Sequence, residues 1–287
     1  MDASTPEIGT YQSPDGLALS YRAYGPQDAP PVICLPGLTR NGRDFAPIAS
    51  HLSRDLRLYC LDFRGRGKSA YDPDPHRYTQ PTYSADVRAF LDHRGLAKAA
   101  FIGTSLGGMV TMLMEWETPG TVSAAVLNDI GPELNGDAIA RIMAYVGAAE
   151  PAASWDEAAA RSKAVHGVAF PGNSDADWRA FAERTWKEER AGRIVPDYDP
   201  AIAVPFETAP TPDPEVLWAM FDALKVVPTL LVHGRLSDLL PEDAVARLKA
   251  HRPDMDVLPV AGVGHAPMLT EPGVGEHVLK FLKTHAG

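Results

Sequence analysis

The sequence predicts an α/β fold in which a mostly parallel β-sheet carries helices on both faces. Short β-rich runs alternate with helical stretches along most of the 287 residues, and this alternation is typical of parallel strands joined by crossover helices. Several of the runs are apolar nearly throughout instead of alternating with polar residues. Strands that are buried on both faces have this pattern, which favours a sheet covered by helices on each side.

The predicted elements follow one another in chain order. The first is an antiparallel hairpin over residues 9–24, because Ser13-Pro14-Asp15-Gly16 supplies turn residues between two alternating segments. Six predicted strands follow it, at residues 32–35, 57–61, 99–103, 124–127, 229–233 and 256–260. The predicted helices of the same region occupy residues 43–52, 83–93, 107–117, 241–251 and 272–284.

The pattern changes between residues 132 and 214. No strand is predicted there, helical patterns dominate, and three of the five tryptophans fall in this segment, Trp155, Trp178 and Trp186. We therefore predict an α/β core formed by residues 1–131 and 215–287, with a helical cap inserted at residues 132–214.

The composition limits the classes of partner. The formal net charge is −10 at pH 7, which argues against nucleic acid and anionic membranes as partners, because both attract Lys and Arg, and favours a small molecule. No window reaches the roughly 18 apolar residues of a membrane span, and the first residues do not resemble a secretory signal, so we expect a cytoplasmic location. Cys34 and Cys60 lie within apolar runs and are expected to be buried free thiols. The sequence leaves the oligomeric state open.

The strongest chemical signal is Gly103-Thr104-Ser105-Leu106-Gly107. A predicted strand leads into this segment and a predicted helix leads out of it, so Ser105 would occupy a sharp strand-to-helix turn. Glycines are expected on either side because a Cβ there would collide with neighbouring elements. We predict that Ser105 is a nucleophile; the alternative is a glycine-rich turn with an idle serine.

A serine hydroxyl needs a base to take its proton and a carboxylate to orient that base. His265 is the predicted base, because Gly264-His265-Ala266 lies in a loop just after the last predicted strand. The other eight of the nine histidines lie on or beside predicted helices, in polar or cap segments, or inside a strand.

Two aspartates are candidates for the carboxylate, and both follow predicted strands whose ends would lie at the same edge of the sheet. Asp238 follows the strand at 229–233, and Asp129 follows the strand at 124–127. We favour Asp238, which gives the chain order Ser105, Asp238, His265. Asp129 is the alternative acid, and otherwise it would order the loop near the cap entrance.

Acyl transfer also needs hydrogen-bond donors for the negatively charged oxygen of its intermediate. The first predicted donor is the backbone N–H of Leu106, directly after the nucleophile. The second is the backbone N–H of Leu38, in the loop Pro36-Gly37-Leu38-Thr39 that follows the strand at 32–35. Gly37 would let the backbone approach the substrate closely.

Four segments resemble the successive signatures of capped α/β-hydrolase-fold enzymes: Leu35-Pro36-Gly37, Asp62-Phe63-Arg64-Gly65-Arg66-Gly67-Lys68-Ser69, Gly103-Thr104-Ser105-Leu106-Gly107-Gly108 and Gly264-His265. The resemblance covers residues 8–282 and is weakest across the cap. It implies a mostly parallel eight-stranded sheet and a triad that needs no metal or organic cofactor. Pro36 departs from the pattern of many members, which have histidine before the glycine. The 62–69 loop is interpreted as structural, with substrate contact by Arg64 or Arg66 as the alternative.

These features predict a serine hydrolase that cleaves a small carboxylic ester through an acyl-enzyme. One alternative is a carbon–carbon bond hydrolase of ring-cleavage products, and another is a non-catalytic small-ligand sensor on the same fold. H-E-x-x-H, C-x-x-C and EF-hand spacings are lacking, which argues against a dedicated metal site, and no cofactor is expected. Three cap aromatics are expected either to line an apolar pocket or to form the core of the cap: Tyr145, Trp155 and Trp178.

Overall fold

The computed structural model describes residues 5–189, 192–208 and 213–286. Over these residues, eight strands form one sheet and two short strands form a separate hairpin. In chain order the strands are β1 (Glu7–Gln12), β2 (Ala18–Tyr24), β3 (Pro31–Leu35), β4 (Arg57–Leu61), β5 (Ala99–Thr104), β6 (Val122–Asn128), β7 (Trp186–Glu188), β8 (Ile194–Pro196), β9 (Thr229–Gly234) and β10 (Asp256–Val260).

The helices lie mostly between the strands. In chain order the α-helices are α1 (Ala46–Leu52), α2 (Gln80–Arg94), α3 (Leu106–Glu117), α4 (Gly136–Tyr145), α5 (Trp155–His166), α6 (Asp175–Thr185), α7 (Val204–Thr208), α8 (Pro214–Ala223), α9 (Glu242–His251) and α10 (Val274–His285). Short 3₁₀ turns cover Gly42–Phe45, Pro75–Arg77, Pro200–Ala203 and Leu224–Val226.

The large sheet has the strand order β1-β2-β4-β3-β5-β6-β9-β10. β2 is antiparallel to β1 and β4, and the other neighbouring strands run parallel. The predicted hairpin and the mostly parallel eight-stranded sheet are confirmed. In the centre, Thr104 at the end of β5 pairs in register with Asn128 at the end of β6. This register places the residues that follow these two strands side by side.

The inner strands β3, β4, β5, β6 and β9 are buried on both faces, as their apolar runs predict, whereas the edge strands β1 and β10 are partly exposed. In β3, Ile33 and Leu35 belong to one apolar cluster, while Val32 and Cys34 belong to a second cluster on the opposite face. Helices α2, α3, α8 and α9 contribute side chains to the first cluster, and α1 and α10 contribute to the second. Burial on both sides holds the strands rigid and fixes the positions of the loops at their carboxyl ends.

The segment between β6 and β9 contains α4 to α8 and the hairpin of β7 and β8. Helices α5 and α6 pack together with the hairpin around a small apolar cluster that includes Trp178, Phe181 and Trp186. The expectation that this segment holds no strand is wrong, since the segment contains β7 and β8. Each of these strands is three residues long, which is too short to show an alternating pattern in the sequence. Helix α8 packs against α3 of the core. The division of the chain at residues 132 and 215 stays a prediction.

Candidate active site

Ser105 occupies the turn between β5 and α3. Its backbone has φ 51° and ψ −115°, a conformation with positive φ that is uncommon for residues other than glycine. Its carbonyl oxygen accepts the N–H groups of Gly108 at 2.9 Å and Met109 at 3.1 Å, so the helix begins directly after the serine. The N–H of Ser105 donates to Asn128 O at 3.1 Å, which ties the turn to the end of β6.

The glycines on either side make this turn possible. A Cβ on Gly103 would lie 2.6 Å from backbone atoms of Gly107 and Gly108. A Cβ on Gly107 would collide with the carbonyl group of Leu35. The strand, the turn and the helix are therefore packed so closely that only glycine fits at both positions.

His265 lies in the loop after β10 and contacts both Ser105 and Asp129. Its Nε2 lies 2.9 Å from Ser105 Oγ, and its Nδ1 lies 2.9 Å from Asp129 Oδ2. An ionised carboxylate can only accept hydrogen bonds, so Nδ1 carries the proton and Nε2 is free to accept from the serine hydroxyl. The side chain of His265 is 10% exposed and that of Asp129 is fully buried. The chain order Ser105, Asp129, His265 is also nucleophile, acid, base.

Asp129 follows β6 directly and is held by the loop after β9. Its Oδ1 accepts the N–H of Gly234 at 2.8 Å, and its Oδ2 accepts the Ser237 hydroxyl at 2.5 Å. Its own N–H donates to Val232 O at 2.8 Å. With His265, three donors surround a carboxylate that water does not reach, so its orientation is fixed.

The preference for Asp238 as the partner of His265 is wrong. The carboxylate of Asp238 is 45% exposed and forms a two-pronged ion pair with Arg141 of α4, with an Nη2–Oδ2 distance of 2.7 Å. The strand β9 ends at Gly234, and in the loop that follows it is Ser237, not Asp238, that turns inward. Chain order could not distinguish the two aspartates, because either one gives nucleophile, acid and base in the same sequence.

Two side chains missed in the sequence support the site. Ser237 donates to the Asp129 carboxylate and also accepts the N–H of Leu240 at 3.1 Å. Asn128 Nδ2 donates to Pro267 O at 2.8 Å and to Thr104 Oγ1 at 3.1 Å, which links the histidine loop to the end of β6. Their positions beside the two candidate aspartates were the available signal, but a lone Ser or Asn in a loop is too common to single out.

A cavity opens above Ser105 and His265. It encloses about 720 Å³ of empty space when its open mouth is included. The loop after β3 lines one side with Gly37, Leu38, Thr39 and Arg40, and the segment between β6 and β9 lines another with Ile142, Tyr145, His166 and Phe170.

The two predicted donors for an oxyanion lie beside Ser105. Leu106 is the first residue of α3, and Leu38 lines the cavity. In the part of the chain that the structure describes, neither backbone N–H donates a hydrogen bond. Arg66 is buried and its Nε donates to Leu38 O at 2.9 Å, which fixes this loop from behind. The assignment of the two N–H groups to an oxyanion stays a prediction.

The 62–69 loop is held by buried charge pairs. The guanidinium of Arg64 is paired with Asp15, Asp72 and Asp86. Arg66 also donates to Arg64 O and to the Tyr83 hydroxyl. Neither arginine lines the cavity at Ser105, which supports the structural interpretation of this loop.

The three aromatic residues singled out in the sequence divide between the two expected roles. Tyr145 lines the cavity, whereas Trp178 and Trp155 belong to the apolar cluster of α5, α6 and the hairpin.

His166, at the end of α5, packs between the rings of Tyr145 and Phe181 with centroid distances of 5.4 and 5.2 Å. Burial, helped by the positive charges of Arg40 and Arg141, lowers the pKa of His166 to about 3. The ring is therefore neutral near pH 7.

Metal-binding groups and membrane-spanning helices were sought among the described residues. They contain no group of three or more His, Cys, Asp or Glu side chains placed to hold a metal ion. None of their helices is long and apolar enough to cross a membrane. Cys34 and Cys60 are buried free thiols that face each other across β3 and β4.

Known proteins share this fold and much of this sequence. The family model described as alpha/beta hydrolase fold matches residues 30–272. A 3-hydroxybutyrate-oligomer hydrolase of Cupriavidus necator is 33% identical over 94% of this chain and 95% of its own length. N-formylmaleamate deformylase of Pseudomonas putida is 28% identical over 91% of both chains.

A solved structure agrees with these matches. The crystal structure of an alpha/beta hydrolase from Novosphingobium aromaticivorans superposes with a TM-score of 0.91 at 40% identity, covering 97% of this chain and 98% of that chain. The range matched by the family model includes Ser105, Asp129 and His265. The chain therefore belongs to the α/β-hydrolase fold family.

Proposed function

We propose that the protein is a serine hydrolase that cleaves small carboxylic esters through an acyl-enzyme intermediate. The observation that carries this proposal is the continuous hydrogen-bonded chain from Ser105 Oγ to His265 and on to Asp129, with 2.9 Å at each step. This is the arrangement that makes a serine hydroxyl nucleophilic at neutral pH.

In the first half of the reaction, Ser105 Oγ attacks the ester carbonyl carbon while its proton moves to His265 Nε2. The Asp129 carboxylate stabilises the positively charged imidazolium that results. The N–H groups of Leu38 and Leu106 hold the negatively charged oxygen of the tetrahedral intermediate. His265 then gives the proton to the alcohol oxygen, the carbon–oxygen bond breaks, and the alcohol leaves.

In the second half, His265 takes a proton from a water molecule as its oxygen attacks the acyl carbon. The second tetrahedral intermediate collapses, the proton returns to Ser105 Oγ, and the carboxylic acid is released. The balance is one water consumed and one acid and one alcohol formed for each ester cleaved. In each half, the Asp129 carboxylate that stabilises the imidazolium is already held in position by the N–H of Gly234 and the hydroxyl of Ser237.

The name of one full-length relative supports esters of hydroxy acids as substrates. The protein of Cupriavidus necator is named for oligomers of 3-hydroxybutyrate, and such oligomers are linear esters. The deformylase of Pseudomonas putida is also named for the salt of a carboxylic acid. We therefore propose short oligoesters of a hydroxy acid as the substrate class.

Two measurements on the purified protein test the reaction. A fluorophosphonate should form an adduct on Ser105, located by peptide mass spectrometry, and Ser105→Ala should abolish it. Ser105→Ala should also lower turnover of p-nitrophenyl butyrate by several orders of magnitude. An unlabelled serine in wild-type protein would instead favour a ligand sensor, and turnover of a ring-cleavage dienoate without ester turnover would favour the carbon–carbon hydrolase.

A further inference from the structure

Arg40 is a charged side chain that lines the cavity at Ser105. A Cβ placed on Gly37 would lie 3.6 Å from Arg40 Cγ and 3.8 Å from Ser105 Cβ. The side chain of Arg40 therefore starts beside Ser105, on the same side of the loop after β3. It lines the cavity at Ser105 and also a second, smaller cavity beneath α5 and α6.

The guanidinium of Arg40 is fixed on one edge and free on another. Asp44 takes the edge formed by Nε and Nη2, with distances of 2.7 and 2.8 Å. The flat face of the group lies 4.2 Å from the centre of the Phe181 ring. Among the residues that the structure describes, Nη1 has no hydrogen-bond partner. Nη2 also lies 4.0 Å from Met268 Sδ, a weak acceptor that a carboxylate can replace, so the end of the guanidinium formed by Nη1 and Nη2 is held in place and open to a stronger acceptor.

Charges of both signs lie near the cavity beside Arg40. Burial lowers the pKa of His166 most, and the positive charges of Arg40 and Arg141 act in the same direction. Burial also lowers the pKa of Arg184, where Arg40 and Arg43 act in the same direction and Asp44 opposes them. Asp44, which also lines the cavity at Ser105, offsets much of the charge of Arg40, so a carboxylate beside Arg40 would be held mainly by hydrogen bonds from the guanidinium.

We propose that Arg40 binds a carboxylate of the substrate, so that the enzyme selects esters with a free acid end close to the scissile bond. This inference rests on the proposed function and assigns its selectivity to one side chain. A linear oligoester of a hydroxy acid has such a carboxylate on the alcohol side of its last ester bond. With that group on Arg40 and the adjacent carbonyl at Ser105, hydrolysis removes one hydroxy acid unit from the acid end.

The chemistry of the free edge fits a carboxylate. The two N–H groups at the end of a guanidinium match the two oxygens of a carboxylate, and both bonds are charge-assisted. Asp44 and Phe181 already immobilise the group, so little side-chain entropy is lost when a ligand binds. An uncharged ester end would leave this buried positive charge without a new partner.

The test compares the linear dimer of 3-hydroxybutyrate with its methyl ester, which has the same scissile bond but no charge. Wild-type protein should cleave the dimer with a higher kcat/KM than the methyl ester. Arg40→Gln should raise KM for the dimer about 10- to 100-fold, the range expected for a lost hydrogen bond to a charged group. The same variant should lower kcat/KM for the methyl ester and for p-nitrophenyl acetate by a much smaller factor, so that the ratio of dimer to methyl ester turnover falls at least about tenfold.

Arg43→Gln is the matched control. Arg43 lies three residues away, is also paired with an aspartate, Asp197 at 2.6 Å, and does not line the cavity at Ser105. Its loss should leave the ratio of dimer to methyl ester turnover unchanged. Arg40→Lys should keep part of the preference, because it keeps the charge but not the two parallel donors.

The outcomes separate this inference from the function on which it rests. Equal ratios of dimer to methyl ester turnover in wild type and Arg40→Gln, with p-nitrophenyl acetate turnover intact, would overturn the role of Arg40 and leave the serine hydrolase standing. No turnover of any ester and no fluorophosphonate adduct would overturn the hydrolase itself. If circular dichroism shows that Arg40→Gln does not fold, the ratio of dimer to methyl ester turnover is compared between wild type and Arg40→Lys instead. Equal ratios in these two proteins would then overturn the role of Arg40.

Discussion

Asp129 Oδ2 lies 2.9 Å from His265 Nδ1, so the end of β6, and not the loop after β9, supplies the carboxylate that orients the histidine. The loop after β9 contributes in a different way, because its Gly234 N–H and Ser237 hydroxyl hold that carboxylate. Asp129, directly after β6, is therefore the acid whose loss should impair catalysis.

Asp129→Asn and Asp238→Asn should have very different effects on turnover. The change at position 129 keeps the size of the side chain but offers an amide where the imidazole needs a carboxylate. We expect kcat to fall by about 10²- to 10⁴-fold for Asp129→Asn and by less than about threefold for Asp238→Asn. Steady-state rates with p-nitrophenyl butyrate measure both, and equal losses in the two variants would argue against this assignment.

Ser237→Ala should slow the reaction without abolishing it. The variant loses one of the three donors to the buried carboxylate of Asp129, so the acid is held less firmly. We expect kcat to fall roughly tenfold, the equivalent of one hydrogen bond to a charged group. Ser237→Thr keeps the hydroxyl and should retain most of the activity. If the alanine and threonine variants lose the same activity, packing and not the hydroxyl is responsible.

The turn at Ser105 should store strain that glycine relieves. Serine and alanine both have a Cβ, which makes φ 51° unfavourable. Ser105→Gly should therefore be more stable than Ser105→Ala by about 1 kcal/mol, after allowing for the greater chain entropy of glycine. Urea unfolding of the two inactive variants measures the difference, and a more stable alanine variant would contradict the expected strain.

His166 should make the folded protein less stable in mild acid. Its pKa is lowered to about 3 by burial and by nearby positive charges, whereas the unfolded value is about 6.5. Between these values the unfolded chain binds one more proton, so the stability contributed by the neutral ring is complete above about pH 6.5 and is lost as the pH falls toward 3. His166→Phe should flatten the pH dependence of the unfolding free energy there by up to about 1.4 kcal/mol per pH unit.

Urea titrations at several pH values between 4 and 8 measure that slope. Above pH 7 the wild-type and His166→Phe proteins should differ by a constant amount, since His166 is neutral in both the folded and the unfolded chain. Parallel curves down to pH 4 would show that His166 does not contribute to the acid limb.

The ion pair between Arg141 and Asp238 should matter little to global stability. Both side chains are more than one third exposed, and water screens such pairs strongly. Arg141→Gln should change the free energy of unfolding by less than about 1 kcal/mol, and added salt should reduce the difference further. A loss well above this in urea unfolding would mean that the pair holds α4 against the core.

Much of the fold could be predicted because its signals are local. The apolar runs identify the strands, and Gly103 and Gly107 leave room for only one kind of turn at Ser105. His265 could be selected because it alone follows the last strand in a glycine-containing loop. These assignments depend on residues within a few positions of one another, so one sequence is enough to make them.

The acid, the hairpin and the supporting side chains depend on information that is not local. Asp129 and Asp238 both follow strands that end at the same edge, and only the three-dimensional paths of the two loops decide which carboxylate faces His265. The role of Ser237 depends on that same decision. The strands β7 and β8 gain their pairing from the packing of α5 and α6, which a three-residue pattern does not reveal.

The loop that carries His265 is tied to three parts of the molecule. Pro267 O accepts from Asn128 at the end of β6, Val263 O accepts the N–H of Leu236, and Gly264 N–H donates to Ala169 O in the segment after α5. The last of these bonds, at 2.7 Å, joins the residue before His265 to the residue before Phe170, which lines the cavity. The position of His265 therefore depends on the path of the segment after α5 as well as on the strand ends of the sheet.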